Sequence, residues 1–446
     1  MSTPDQVKFS TNPVEGTSAE SELVIFRSEL PSYNPSSNKF VRINLPVADK
    51  AWIDWGDTTL SLQFTNRSYD TASASAAGSS AKTQLSNLIR SVSILNSQGE
   101  QIEYVNQYNL ISNIMDDYSM SENHKTSVEQ ILAGGSPNGD PDAATAINGV
   151  AAGLVEADGT SLTLTDRLMT GFTSGQYLLP LGYLVGQACA IVLELEDANT
   201  ALYNSTSSNR VMAYKVDNVE LRAKQIRFNA VFNQSFERTL AEAGNTGINY
   251  ITESFIHNQN SIPATSTSTV NVPFSCNPRS AKYILASHRI QSDVTALDKY
   301  SLGTRTACEI QDYKFEIMGK QHPSQPIKCA DDNYSQAYSQ VLDCLGQIGA
   351  LNHSTLVTKG TVRTLFYARA TATANKFVAG LPLEDFNSAT NPSVYSGMNL
   401  TTAGQLSYQP NISSTGVGGT AIRVDFFTSC DMSIHFTLDG RMYSVR

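Results

Sequence analysis

The sequence is poor in charge: Asp, Glu, Lys and Arg make up 16% of its 446 residues, against roughly 25% in ordinary soluble domains. The polar surface must therefore be built largely from Ser, Thr, Asn and Gln. Basic residues are the scarcer sign, with 31 Lys and Arg against 41 Asp and Glu and a net charge of -10, which disfavours a coat on nucleic acid held by phosphate contacts. Long apolar runs are missing too. The most apolar stretch, residues 177–196, is interrupted by Pro180, Gly182, Gly186 and Gln187, so it cannot supply an unbroken bilayer span and reads as two strands and a turn. The N-terminus shows no basic segment followed by an apolar one, so no secretory signal is expected. Six cysteines, at 189, 276, 308, 329, 344 and 430, include no CxxC pair and are expected as free thiols of a reducing compartment.

Catalytic signatures are equally scarce. Neither GxxxxGK[ST], GxGxxG nor GxSxG occurs, and the six histidines (124, 257, 288, 322, 353 and 435) stand singly, none four residues from another. Two pairs of neighbouring carboxylates, Asp116–Asp117 and Asp331–Asp332, could suggest acid/base or divalent-ion chemistry. Successive residues on a helix diverge by ~100°, however, and do not converge on one atom. Both pairs are expected as solvated charges at helix ends. No catalytic, cofactor-binding or metal-ligating residue is assigned, and no cofactor is expected.

What the sequence has is sheet. Its 19 Tyr and 17 Phe accompany only two Trp, and aromatic, Val and Thr content suits pleated structure. Residues 39–45 and 59–64 alternate apolar with polar, as half-buried strands do. Residues 91–94 and 101–105 flank Asn96-Ser97-Gln98-Gly99, a hairpin whose turn residues tolerate positive φ. Ile94 belongs on its inward face. Tyr108, Ile111, Met115 and Tyr118 then recur at helical spacing. Residues 72–81 and 136–160 read as surface loops. Strand character resumes at 178–181, 190–195 and 219–223.

The second half repeats this order without repeating the letters. A strand at 312–318, with Phe315 inward, is followed by a turn marked by Gly and Pro. An amphipathic helix then carries Tyr334, Ala337, Tyr338, Val341, Leu342 and Leu345. Leu381-Pro382-Leu383 stands where Leu179-Pro180-Leu181 stood, and closing strands are expected at 422–426 and 433–438. The landmarks lie about 200 to 230 residues apart, the size of a sandwich domain. Between the halves, Phe232, Phe236 and Leu240 mark a helix ended by Gly244 and Asn245. The expected organisation is an arm at 1–21, a first β unit at 22–230, a connector helix at 231–246 and a second β unit at 247–446.

Four stretches carry a family resemblance: residues 30–46, the strand, turn and helix of 88–118, the Phe236-Glu237-Arg238 helix with the Asn249-Tyr250-Ile251-Thr252-Glu253 strand after it, and the hairpin around Asp439-Gly440-Arg441. In order and spacing they resemble the double jelly-roll major capsid proteins of icosahedral double-stranded DNA viruses, most closely those of polinton-like viruses and virophages. More distantly they resemble those of nucleocytoplasmic large DNA viruses and adenovirus hexon. The resemblance implies an all-β chain of two tandem eight-stranded jelly rolls with short helices between strands. It further implies a homotrimer of pseudo-hexagonal outline in a virion shell, with neighbouring capsomers, penton and minor capsid proteins as partners. No enzymatic activity and no direct sequence-specific nucleic-acid binding are implied, and an internal membrane is left open. Loops shorter than those of the giant-virus and hexon relatives argue against large turret-like surface domains.

Two other classes compete. A two-domain jelly-roll carbohydrate-binding or vertex adhesion protein would need exposed aromatics, for which Trp52 and Trp55 are the candidates, although packing explains such a pair more simply. An enzyme of cupin or glycosidase type would need converging His or carboxylate groups that the spacing does not provide. The densest basic group, Lys215, Arg222, Lys224 and Arg227, could face acidic partners or lipid headgroups, but strand alternation also makes it a plain solvated face.

Overall fold

In the computed structural model, residues 19–70, 81–119, 132–133, 154–155, 161–173, 178–184, 189–202, 210–243, 248–296, 300–303, 305–329, 334–346, 375–384, 396–402, 404–413, 419–437 and 441–446 are described. Eight strands longer than two residues build the described first half: β1 (Ala19–Arg27), β2 (Phe40–Leu45), β3 (Trp52–Asn66), β4 (Ile89–Leu95), β5 (Gln101–Asn106), β6 (Ser161–Asp166), β7 (Cys189–Leu195) and β8 (Tyr214–Phe228). They form two antiparallel sheets ordered β1-β8-β3-β6 and β2-β7-β4-β5. Eight more build the second half: β9 (Ile248–Ile262), β10 (Val272–Phe274), β11 (Ala281–Ile290), β12 (Ile310–Ile317), β13 (Lys320–Lys328), β14 (Val378–Pro382), β15 (Leu406–Ile412) and β16 (Ile422–Phe436). Their sheets run β9-β16-β11-β14 and β10-β15-β12-β13. Every strand of the second unit has the neighbours of the strand eight places before it. Each unit is thus a jelly roll, a pair of facing four-stranded sheets, and β17 (Met442–Val445) adds to the edge of β16.

Local chemistry explains the repeat. Asn96 accepts the backbone N–H groups of Gln98 and Glu100 at 2.9 and 2.8 Å, and Gly99 takes φ +85°, closing the β4–β5 hairpin. The counterpart between β12 and β13 is a two-residue turn with φ +53° at Met318 and +74° at Gly319, the mirror-image turn that matches strand twist. Each hairpin leads into a helix, α1 (Tyr108–Ser119) after β5 and α3 (Tyr334–Cys344) after β13. Between the rolls, α2 (Ala230–Ala243) starts on Asn229, whose side chain accepts the Phe232 N–H at 2.9 Å, an N-cap.

Several expectations need correction. Residues 178–181 are not a strand: Leu179 makes a single bridge to Ile53 and Leu181–Tyr183 form a 3-10 turn, because Pro180 and Gly182 break the extended path. The closing strands at 422–426 and 433–438 are one strand, β16, which ends at Phe436. The first described strand is Ala19–Arg27, so a boundary at residue 21 falls inside β1, and the described part of the connector helix is Ala230–Ala243. Residues 1–18, most of the loops at 72–81 and 136–160, and Gly244, Asn245, Asp439 and Gly440 lie outside the described residues. The rolls do not keep separate cores: buried side chains from Phe26 to Met442 form one connected apolar cluster.

Candidate functional site: the seam between the two rolls

Chemistry-bearing side chains concentrate where the rolls meet. Glu103, on β5, lies opposite Ile94 and so points inward, 1% exposed. Its carboxylate accepts the Gly171 and Phe172 N–H groups at 2.8 and 2.9 Å from the first roll and the Ser254 hydroxyl of β9 at 2.8 Å from the second. Burial pushes its pKa up, against the three hydrogen bonds. Thr252 of β9 donates to the Gly171 carbonyl at 2.6 Å. A Cβ on Gly171 would stand 2.4 Å from the Glu253 carbonyl, so only glycine lets these backbones approach.

A second set joins α1 to the other roll. Asp117, 3% exposed, accepts Lys376 Nζ at 2.5 Å and is paired with Arg305. Tyr118 donates to the Lys376 carbonyl at 2.9 Å, and the Tyr300 hydroxyl joins Asn87 and Asn113 at 2.7 and 3.2 Å. The expectation that Asp116–Asp117 is a solvated helix-end pair is therefore wrong for Asp117. Its partners come from positions 188 and 259 residues away, beyond the reach of helix-face reasoning. Asp331 and Asp332 lie outside the described residues.

The third set centres on Asp425 of β16, fully buried. It receives Arg289 through Nε and Nη2 at 3.1 and 2.8 Å, Arg423 through Nη2 at 2.9 Å, and His257 Nε2 at 3.0 Å. The other His257 nitrogen contacts Asn106 of β5 at 3.3 Å, which ties the cluster to the seam. Burial alone would raise the Asp425 pKa, but Arg289, His257 and Arg423 hold it well below the usual carboxylate range. The His–Asp contact resembles half of a catalytic triad, yet the carboxylate is already neutralised by two guanidinium groups. Its geometry suits structural charge neutralisation.

Of the other histidines, His124 and His353 lie outside the described residues. His435 stacks on Tyr443 at 4.8 Å, and His322 is half-buried on β13. His288 is fully buried beside Phe377 and Tyr408 at 5.3 and 5.5 Å, with no hydrogen-bond partner on either nitrogen among the described residues, and burial lowers its pKa to about 3. An unfolded histidine binds a proton near pH 6.5. Between pH 6.5 and about 3, the unfolded chain therefore holds the extra proton and stability falls as pH falls. Replacing His288 with Leu is expected to flatten that loss, by up to roughly 4 kcal/mol at the acid end, measured as urea midpoints across the window. An unchanged pH slope would contradict the assignment.

Trp52 and Trp55 are 8% and 3% exposed. Trp52 meets Tyr183, Phe228, Phe232 and Phe236 edge-on at 4.5 to 6.1 Å and seats α2 on the first roll. Phe236 and Leu240 of that helix line a small cavity together with Phe436 of the second roll. The basic group on β8 is interleaved with acid: Lys215 pairs with Asp217 at 2.9 Å, Arg222 with Glu220 at 3.7 Å, Arg227 with Glu22 at 3.9 Å, and Lys224 lies opposite Asp54. It offers no unopposed positive surface. All six cysteines are buried thiols. Among the described residues, no group of three His, Cys, Asp or Glu side chains could hold a metal ion. The seam residues Glu103, Asn106, Gly171, Ser254, Arg305 and Lys376 were not foreseen, and only Glu103 carried a signal, as an acid placed opposite Ile94 on an inward face.

No family model and no curated protein matches the chain. Solved structures do. The PBCV-1 virus capsid chain is 12% identical, with a TM-score of 0.60 over 98% of this chain and 99% of that one. The Faustovirus major capsid protein is 8% identical, with a TM-score of 0.60 over 98% and 92%. A chain of the Sputnik virophage is 9% identical, with a TM-score of 0.59 over 100% and 92%. Two rolls of identical connectivity, joined through a buried polar seam and matched end to end by these chains, make this protein a double jelly roll with the fold of virus major capsid proteins.

Proposed function

We propose that this chain is a structural major capsid protein that forms pseudo-hexameric homotrimers and tiles, with neighbouring capsomers and with penton and minor capsid proteins, into the icosahedral shell of a virion. The observation that carries the reading is the duplication: one strand order occurs twice in one chain, held as a single unit by the buried pairing of Asp117 with Lys376 and Arg305. Two like-shaped rolls per chain give six similar wedges in a closed trimer, so identical chains can fill a hexagonal lattice with specific contacts. The low charge suits this role, because contacts between neighbours then desolvate few Lys and Glu side chains. We assign the chain no enzymatic reaction. The carbohydrate-binding alternative loses its candidates, since Trp52 and Trp55 are core residues. Electron micrographs of the purified subunit test the proposal: six-lobed capsomers are expected, and isolated two-lobed particles would contradict it.

A further inference from the structure

Asn106 of β5 and His257 of β9 meet across the seam, and their neighbours fix which atom of each carries hydrogen. Asn106 Oδ1 accepts the Gln107 N–H at 2.9 Å, so its Nδ2, which can only donate, is the atom 3.3 Å from His257 Nδ1. A flipped amide would set Nδ2 against the Gln107 N–H. His257 Nδ1 therefore accepts and carries no proton. On the other side of the ring, Nε2 stands 3.0 Å from Asp425 Oδ1, and a carboxylate only accepts. The ring is thus neutral with its one N–H on Nε2, and at 6% side-chain exposure both nitrogens are committed to protein partners.

The charges around the ring oppose a second proton. Among the described residues Asp425 is the one carboxylate bonded to it, and Arg289 of β11 and Arg423 of β16 already neutralise Asp425. The other neighbour from β16 is the Phe427 ring, at 5.0 Å. Nearby acids are engaged elsewhere: Glu103 of β5 by Gly171, Phe172 and Ser254, and Glu253 of β9 by Ser429 and Lys282. Glu196, whose field reaches Arg289, accepts from Asn109 and the Asp197 N–H. A proton on Nδ1 would place a third cation around one carboxylate. It would also aim an N–H at the Asn106 amide nitrogen, and two donors face to face in a buried site satisfy neither.

We propose that Asn106 and His257 form an acid-released latch between the two rolls, closed while His257 is neutral and broken when Nδ1 takes a proton, so that β5 and β9 loosen on each other. The latch lies within one chain and holds however chains assemble. Asn106→Asp tests it, because the carboxylate keeps an acceptor for the Gln107 N–H and gives Nδ1 an acceptor in place of a donor. The readout is hydrogen exchange of β5 and β9 in the full-length wild type and variant, each rate divided by that of the unfolded chain. Conditions run from about pH 8 to about pH 5, the range in which histidines change charge. Acid is expected to speed seam exchange in the wild type and to slow it in Asn106→Asp, the ratio of the two moving by up to about tenfold per pH unit. His288 and Asp425 are common to both proteins, so their acid effects cancel in the ratio. A ratio that does not move with pH overturns the latch. Magic-angle-spinning NMR of histidine-labelled wild type, with His257 assigned through its contact with the Phe427 ring, needs no substitution. A lone N–H on Nε2 is expected at about pH 8, and an N–H on Nδ1 there overturns the proposal even if Asn106→Asp does not fold.

Discussion

Replacing Asp425 with Ala is expected to lower the unfolding free energy by roughly 3–5 kcal/mol, the range for removing one partner of a buried ion pair. The substitution strands Arg289, itself 2% exposed, beside the positive Arg423 and the His257 ring. Burial keeps bulk solvent from the stranded guanidinium, which separates this site from surface pairs such as Arg27–Glu220, where the arginine side chain is 77% exposed. The readout is a lower urea midpoint at an unchanged slope and fixed protein concentration. The same cluster sets an acid limit. Because the Asp425 carboxyl sits below its ordinary range in the folded chain, its contribution is complete above the unfolded value near pH 4 and is lost as pH falls through the folded one. A loss below about 1 kcal/mol, as for an exposed pair, would contradict the buried cluster.

The second large effect concerns the cores. Ile94 on β4 and Phe315 on β12 occupy corresponding strands of the two rolls and are both 0% exposed. An Asp at either position would be a buried charge with no partner, which costs several kcal/mol even after the group takes up a proton. Because the apolar clusters of the rolls are continuous, damage in one is expected to prevent folding of both. Neither Ile94→Asp nor Phe315→Asp should give soluble, proteolysis-resistant protein. Ile94→Val, costing about 0.5–1.5 kcal/mol, should fold. Soluble Asp variants with wild-type mass would mean that the strand faces are misassigned.

Strand faces were legible where one side meets water. Residues 39–45 alternate because the strand has one partly solvated face, and they appear in the structure as β2 (Phe40–Leu45). The signal failed in β16, whose residues are buried on both faces along nearly its whole length. There Thr428, Ser429, Asp431 and Ser433 are buried polar groups, so the middle of one long strand read as a break between two. Repetition of the landmarks exposed the duplication, since hairpin, helix and Leu-Pro-Leu recur in order. The seam stayed hidden for a different reason. Asp117 needs Lys376, and Glu103 needs Ser254, partners 259 and 151 residues away, and a lone acid carries no mark of the cation or hydroxyl it will meet. Similarly, the scattered histidines gave no hint that His257 would join Asp425 across β9 and β16, because that pairing is set by sheet register and not by spacing along the chain.

In the proposed assembly two fused rolls form a wedge pair repeated around a threefold axis. The mass of the purified chain in solution, by light scattering at micromolar concentration, tests it most directly. A mass of about 145 kDa is expected, three chains of 48.3 kDa each. A homogeneous species at 48.3 kDa that stays monomeric as concentration rises would contradict it.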